Sequence, residues 1–308
     1  MKRREFIKKG LRTGIITSTV FTFGNFSSMF ASTNNFANKK PFDLVAIKGG
    51  EPDIMFDKGI QSLGGIKAFV KKGQKVVVKP NIGWDTSPER AANTNPLLVK
   101  RIVQSCFEAG AKDVYVFDHT CDNWKRCYSN SGIENAVKDA GGKIVSGDSE
   151  SYYQKVDIPK GKKLTSSKVH ELILESDVFI NVPILKHHGS ADLTISMKNL
   201  MGNVWDRPYW HRNDLHQCIA DFVSFRKPDL NVVDAYYVMK RNGPRGVSKE
   251  DVITLKSQII STDIVAADAA AAKLFNSEPE DIGYIRIAHE MNLGNKNLDQ
   301  LNISRIKL

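Results

Sequence analysis

The stretch Lys75-Val76-Val77-Val78-Lys79-Pro80-Asn81 decides the fold: a β-branched run that stops at a lysine, a proline and an asparagine. Three consecutive valines with no polar alternation describe a strand buried on both faces, as in a parallel sheet covered by helices. Similar runs recur at 44–48, 113–118, 143–146, 178–182, 230–234, 258–261 and 302–306. Helical periods fall between them at 96–109, 214–225, 266–275 and 283–291. The first of these has Pro96 in its opening turn and Gly110 as its stop. Strands alternating with helices predict an α/β fold, with a mixed, largely parallel sheet and helices on both faces. Residues 43–308 read as a single domain. The polar stretch 149–167, with Pro159, Gly161, Lys160, Lys162 and Lys163, is the one seam where an insertion or lobe boundary fits.

With 41% hydrophobic and 25% charged residues, the chain is ordinary globular material and not collagen, a disordered tail or a disulfide-dense mini-protein. Its 44 Lys and Arg against 34 Asp and Glu leave a net +10. Half of that excess sits in residues 1–31, where Lys2, Arg3, Arg4, Lys8, Lys9 and Arg12 face the single acid Glu5. A charged start followed by the weakly apolar run 14–30 describes an export signal, with a linker at 32–42. Arg3-Arg4-Glu5-Phe6-Ile7-Lys8 resembles the twin-arginine motif, with Lys2 where that motif has Ser or Thr. The same residues also fit an ordinary secretory signal or a basic amphipathic helix. Cleavage is expected near Ala31, although Met29 departs from the small residue expected there. An uncleaved signal would be the only contact with the membrane. Nucleic-acid binding would rest on charge alone and is not expected.

Cys106, Cys121, Cys127 and Cys218 contain no Cys-x-x-Cys pair, so no iron–sulfur cluster is expected. Cys121 and Cys127 are spaced to close a small loop, or to remain two thiols.

Ligands in parallel α/β sheets sit at the carboxyl ends of strands, and four such ends here carry polar groups. Lys79 and Asn81 flank a stiff proline, and Asp118 with His119 closes the next strand. Ile184-Leu185-Lys186-His187-His188-Gly189 follows a third. After it a helix is expected, with Leu193, Met197, Leu200 and Met201 inward and Lys198 and Asn199 elsewhere. Asp234 and the loop Asn242-Gly243-Pro244-Arg245-Gly246 form the fourth. Clustered imidazoles beside ammonium groups suit a carboxylate or phosphate, or a divalent metal. The candidate catalytic residues are His188, Lys198 and His187; the candidate substrate contacts are Lys79, Asn81, Lys186, Asn199, Asn242 and Arg245. His187, His188, Asp118 and Asp234 are the candidate metal ligands. Taken singly, each also fits a structural histidine, a turn residue or a helix cap.

As an ordered set these pieces resemble the family catalogued as domain of unknown function 362. The matching segments are 79–81, Thr94-Asn95-Pro96, 109–118, 177–188, Ser196-Met197-Lys198-Asn199-Leu200-Met201-Gly202, Asp234 with Asn242-Gly243-Pro244, and 261–268. Members are often fused to ferredoxin-type modules, which implies a redox partner protein; this chain lacks the cluster cysteines. A looser similarity is to nickel-dependent lactate racemases, where a His, nine residues and a Lys precede a glycine turn, as His188, Lys198 and Gly202 do here. The N-terminal signal and the strand-end groups together point to an exported, periplasmic enzyme acting on a small anionic substrate with an unassigned cofactor, and the two resemblances rank oxidoreductase or racemase/isomerase-like chemistry first. A ligand-binding or electron-transfer accessory protein without turnover is the alternative.

Overall fold

Strands whose two faces are both apolar can bury themselves only between two layers of helices, and the computed structural model shows that arrangement. It describes residues 41–308. The expected export signal at 1–31 and nearly all of the expected linker at 32–42 therefore lie outside the described residues. In chain order the elements are β1 (Leu44–Lys48), α1 (Pro52–Gln61), β2 (Lys75–Pro80), α2 (Pro96–Glu108), β3 (Asp113–Val116), α3 (Trp124–Asn130), α4 (Ile133–Asp139) and β4 (Lys143–Ile144). Then follow β5 (Tyr153–Asp157), β6 (Ser166–His170), α5 (Glu171–Glu175), β7 (Val178–Val182), β8 (Ile184–His188), β9 (Asp192–Thr194), α6 (Ser196–Asn199), α7 (Arg207–Arg212) and α8 (Leu215–Phe225). The last are β10 (Leu230–Met239), β11 (Val252–Ser261), α9 (Ile264–Phe275), α10 (Gly283–Glu290) and β12 (Ile303–Lys307).

The main sheet has the order β12-β1-β11-β10-β7-β2-β3-β4, with β8 branching from β10 and β9 from β8. Along that path only β11 runs against its neighbours; the rest are parallel. Side chains alternate between two cores. Val76 and Val78 join the core under α1, α2 and α4, while Val77 joins the core under α6, α8, α9 and α10. The strand starts of β1, β2, β7 and β10 fall where the β-branched runs place them. β10 and β11 are longer than expected because they pair as a twisted antiparallel ribbon beyond Asp234 and before Gln258, with a register shift between Ala235 and Tyr237.

The stretch 149–167 holds β5 and leads into β6, which form a separate two-stranded hairpin whose turn is held by Asp221, accepting from the N–H groups of Lys163 and Leu164 at 2.7 and 2.9 Å. One local reading differs. Leu193 lies on the short strand β9 instead of a helix, because β9 pairs back on β8. The helix begins only at Ser196. No helix among the described residues is long and apolar enough to cross a membrane.

The acids at the start of α9 divide their work. Asp263 caps its own helix, accepting from Val265 and Ala266 N–H at 2.8 and 3.0 Å. Asp268 reaches out of α9 and accepts from Ser196 and Met197 N–H at 2.7 and 2.9 Å, fixing the start of α6. The alanines around it, Ala266 to Ala272, let the two helices approach closely enough for that contact. Asp268→Ala would leave two buried donors unpaired and should lower stability by about 2 to 3 kcal/mol. A urea titration would read this as a lower midpoint at unchanged slope; an unmoved midpoint would show that α6 does not depend on Asp268.

Candidate functional site

A polar row crosses the apolar sheet. By register Lys79 of β2 stands beside Asn181 of β7, Asn181 beside Asn231 of β10, and Asn231 beside Ser261 of β11, all fully buried. All four share a face with Val77, Phe179, Val233 and Ile259. Buried amides must be paired, and these are paired with one another. Asn181 Nδ2 donates to Asn231 Oδ1 at 3.1 Å and to the Ser196 carbonyl at 3.0 Å. Asn199 of α6 lies over the row, donating through Nδ2 to Asn181 Oδ1 at 2.9 Å. Its Oδ1 accepts from Lys79 Nζ at 2.9 Å and Asn81 Nδ2 at 3.0 Å.

At the end of the row Lys79 Nζ meets Asp118 Oδ1 at 2.8 Å, with both side chains buried. Asp118 Oδ2 accepts from Ile82 N–H at 2.7 Å. Burial pulls the Lys79 ammonium below its ordinary range, and the Asp118 carboxylate opposes that pull. The backbone at Gly202 lies directly against the pair: a β-carbon there would overlap Oδ1 of Asp118 and stand 2.6 Å from Nζ of Lys79. Glycine at this position is therefore required by close approach.

Above the pair opens a cavity of about 580 Å³. Lys186, Lys198, Arg207, Arg212, His188 and His211 face it, with Trp84, Met201, Pro208 and Pro244 as apolar walls. Among the described residues the only acid that lines it is Asp118, already paired with Lys79. Lys186 Nζ donates to the Ala92 carbonyl and to Asn81 Oδ1 at 3.2 Å. Arg207 is braced by the carbonyls of His119 at 2.8 Å and Thr120 at 2.7 Å. Lys198 Nζ has no hydrogen bond or ion pair among the described residues. Burial, reinforced by neighbouring positive charge, pushes Lys186 down to about 7. The same cause, with Arg207 and Lys79 nearby, pushes Lys198 down to about 8. His188 falls to about 2, first through burial and then through Lys198 and Lys186, so it is neutral at physiological pH. Ser190 N–H donates to its Nδ1 at 3.2 Å, which assigns the ring proton to Nε2.

Of the residues singled out from sequence, Lys79, Asn81, Asp118, Lys186, His188, Lys198 and Asn199 meet here. His187 does not: it alternates to the other side of β8, where Nδ1 accepts from Gly243 N–H at 3.1 Å. Gly243 is constrained in return, since a β-carbon there would overlap the His187 carbonyl oxygen. Asn242 turns to Asp251, and Arg245 lies outside the cavity, exposed near Asp122. Asp234 anchors the start of α2 by accepting from Asn95 N–H at 2.7 Å; burial raises its carboxyl to about 6. The four candidate metal ligands are thus not brought together, and among the described residues no three His, Cys, Asp or Glu side chains are grouped to hold a metal ion. Cys121 and Cys127 are free thiols; Cys127 is buried and Cys121 lies at the cavity, 3.4 Å from Arg207 Nη1. Sequence reasoning passed over Arg207, Asn181 and Asn231. Asn181 carries a usable signal, a lone amide inside the run Val178-Phe179-Ile180-Asn181-Val182; Arg207 carries none.

The family described as "Domain of unknown function (DUF362)" matches residues 76–273 of the chain. Thylakoid-associated protein sll1697 of Synechocystis sp. is 26% identical, over 72% of this chain and 70% of that protein. Among solved structures, the lactate racemase apoprotein of Thermoanaerobacterium thermosaccharolyticum aligns at a TM-score of 0.47 and 12% identity over 79% of this chain. A protein from Thermotoga maritima aligns at 0.46 and 12% over 78%. The chain spans 58% and 60% of the lengths of those two solved chains.

The buried lysines make opposite predictions. Lys79→Met would strand the Asp118 carboxylate and should cost about 3 to 5 kcal/mol. Lys198→Met removes a buried charge with no partner and should leave stability within about 1 kcal/mol of the parent, or raise it. Paired urea titrations measure both, and equal losses would contradict the assigned pairing.

Proposed function

The chain belongs to the DUF362 family, and from that premise we propose that it is an exported enzyme acting on a small anionic, carboxylate-type substrate in the strand-end cavity. One observation carries this: Lys186, Lys198, Arg207 and Arg212 converge on a cavity where the only acid among the described residues, Asp118, is already paired with Lys79. Excess positive charge at a concave site, with Lys186 and Lys198 buried and Arg207 half-buried, is a cost that an anion repays. Arg207 and Lys186, held by carbonyls, supply fixed donors to the carboxylate. Lys198 and the His188 Nε2–H are left to act on the rest of the substrate, as a racemase/isomerase-like or oxidoreductase reaction would require. The residues do not fit a divalent metal, and no step is assigned to one. An electron-transfer partner would suit an oxidoreductase.

Binding should be linked to protons. Near pH 8 Lys198 and Lys186 are partly neutral, and an arriving carboxylate draws a proton back onto them. Calorimetry with lactate, malate and 2-oxoglutarate in two buffers of different ionisation enthalpy should therefore show proton uptake near pH 8. Near pH 6, where both lysines are already charged, uptake should vanish. Affinity should fall as pH rises through about 7 to 9, by up to roughly tenfold per unit for each lysine that takes up a proton. Lys198→Met should lose part of the linkage and leave the share carried by Lys186. No stabilisation by any small acid would overturn the anion site; binding of an acid that returns chemically unchanged would favour the non-catalytic alternative.

Export by the twin-arginine route, and hence a periplasmic location, is proposed from Arg3-Arg4 and the apolar run behind them. Arg3→Lys with Arg4→Lys should retain the protein in the cytoplasm on fractionation. Undiminished export would remove the twin-arginine assignment.

A further inference from the structure

Three lysines border the cavity floor, and they are not equivalent. Lys79 is bonded to Asp118 and Asn199. Lys186 is tied to Ala92 and Asn81 and is 1% exposed. Lys198 is 9% exposed and aims an unpartnered amine into the cavity. A lysine meant only to hold an anion gains by being braced, as Lys186 is. An unbraced amine sunk among Lys79, Lys186 and Arg207 is kept partly neutral, with its lone pair available, the arrangement that makes a nucleophile of lysine. The walls around it, Trp84, Met201, Pro208 and Pro244, favour a step that expels water.

We propose that Lys198 forms an imine with the carbonyl carbon of a 2-oxo acid whose carboxylate is held by Lys186 and Arg207. The proposal rests on the anion-site reading above and narrows its substrate class. The neutral amine adds to the carbonyl carbon, forming the C–N bond. The carbonyl oxygen takes up both amine hydrogens and leaves as water as the C=N bond forms. The His188 Nε2–H, fixed in place by Ser190, donates a hydrogen bond to that oxygen as it develops charge. No external oxidant or reductant is required for the imine itself. The lowering of Lys198 from 10.5 to about 8 agrees with the amine's surroundings.

The test is reductive trapping. The full-length protein is incubated near pH 7 with glyoxylate or pyruvate and cyanoborohydride, and the adduct is mapped by peptide mass spectrometry. The expected result is one adduct per chain on the peptide holding Lys198, formed roughly tenfold or more faster than on exposed Lys160 or Lys162. It should be absent in Lys198→Arg and suppressed by excess malonate, which fills the anion site without a carbonyl. Because the mapping is done on the parent protein, it stands even if the variant folds poorly. Malonate binding without a Lys198 adduct would overturn the imine and leave the anion site intact. Adducts spread evenly over surface lysines would overturn it as well. Neither malonate binding nor an adduct would overturn both.

Discussion

The buried pair Lys79–Asp118 sets the terms for everything around it. Two opposite charges removed from water are tolerable only if their remaining protons and lone pairs are also satisfied. That requirement recruits Asn199 for the ammonium and the Ile82 N–H for the carboxylate. Asn199 must then sit within reach of the sheet, which places α6, and α6 needs its own free N–H groups met from outside, which Asp268 does. Asn199 also completes the amide row through Asn181 and Asn231, locking the carboxyl ends of β2 and β7 in register with the start of β10. Gly202 is the geometric corollary, since the chain leaving α6 passes too close to the pair for any side chain. A charge pair of this kind contributes little net stability, but it specifies one arrangement of the elements around it, and that arrangement is the cavity floor.

The framework was legible because it rests on short-range pattern. Val76 to Val78, Val178 to Ile180 and Val232 to Val233 announce doubly buried strands, and Pro96 and Gly110 bracket a helix. What escaped was set by long-range pairing. β8 and β9 read as a loop and a helix start because their pairing runs through β10 and a tight turn at Gly189-Ser190, not through a run of apolar residues. The site divides the same way. Lys79, Lys186, His188 and Lys198 stand next to strand ends or on a recognisable spacing, so chain position alone gathers them. His187 and His188 look interchangeable in sequence, and only the two-residue period of β8 separates one that faces the cavity from one that faces the 242–246 loop. Arg207 arrives from a six-residue helix with no periodic signature, and it is placed by carbonyls of His119 and Thr120 almost ninety positions away.

The cavity owes its character to an imbalance between the number of cations and the number of acids available to neutralise them. In an enclosed site a positive group that lacks a partner either meets a ligand's negative charge or sheds its proton. Lys186 and Lys198 are held near the boundary between these outcomes. The same side chains can therefore serve as charge acceptors for a carboxylate and as amines with an available lone pair, with the ligand deciding which.

The pairing of β1 bears on how the chain reaches its folded state. The first strand of the domain is flanked by the last two, antiparallel to β11 and parallel to β12, and Leu308 N–H still bonds back to the Lys48 carbonyl. During synthesis β1 must wait, with its apolar faces exposed, until more than two hundred further residues have emerged. Three of the ten strands of the main sheet, β1, β11 and β12, thus come together only at the end. A sheet with this topology closes only when its earliest and latest strands finally meet.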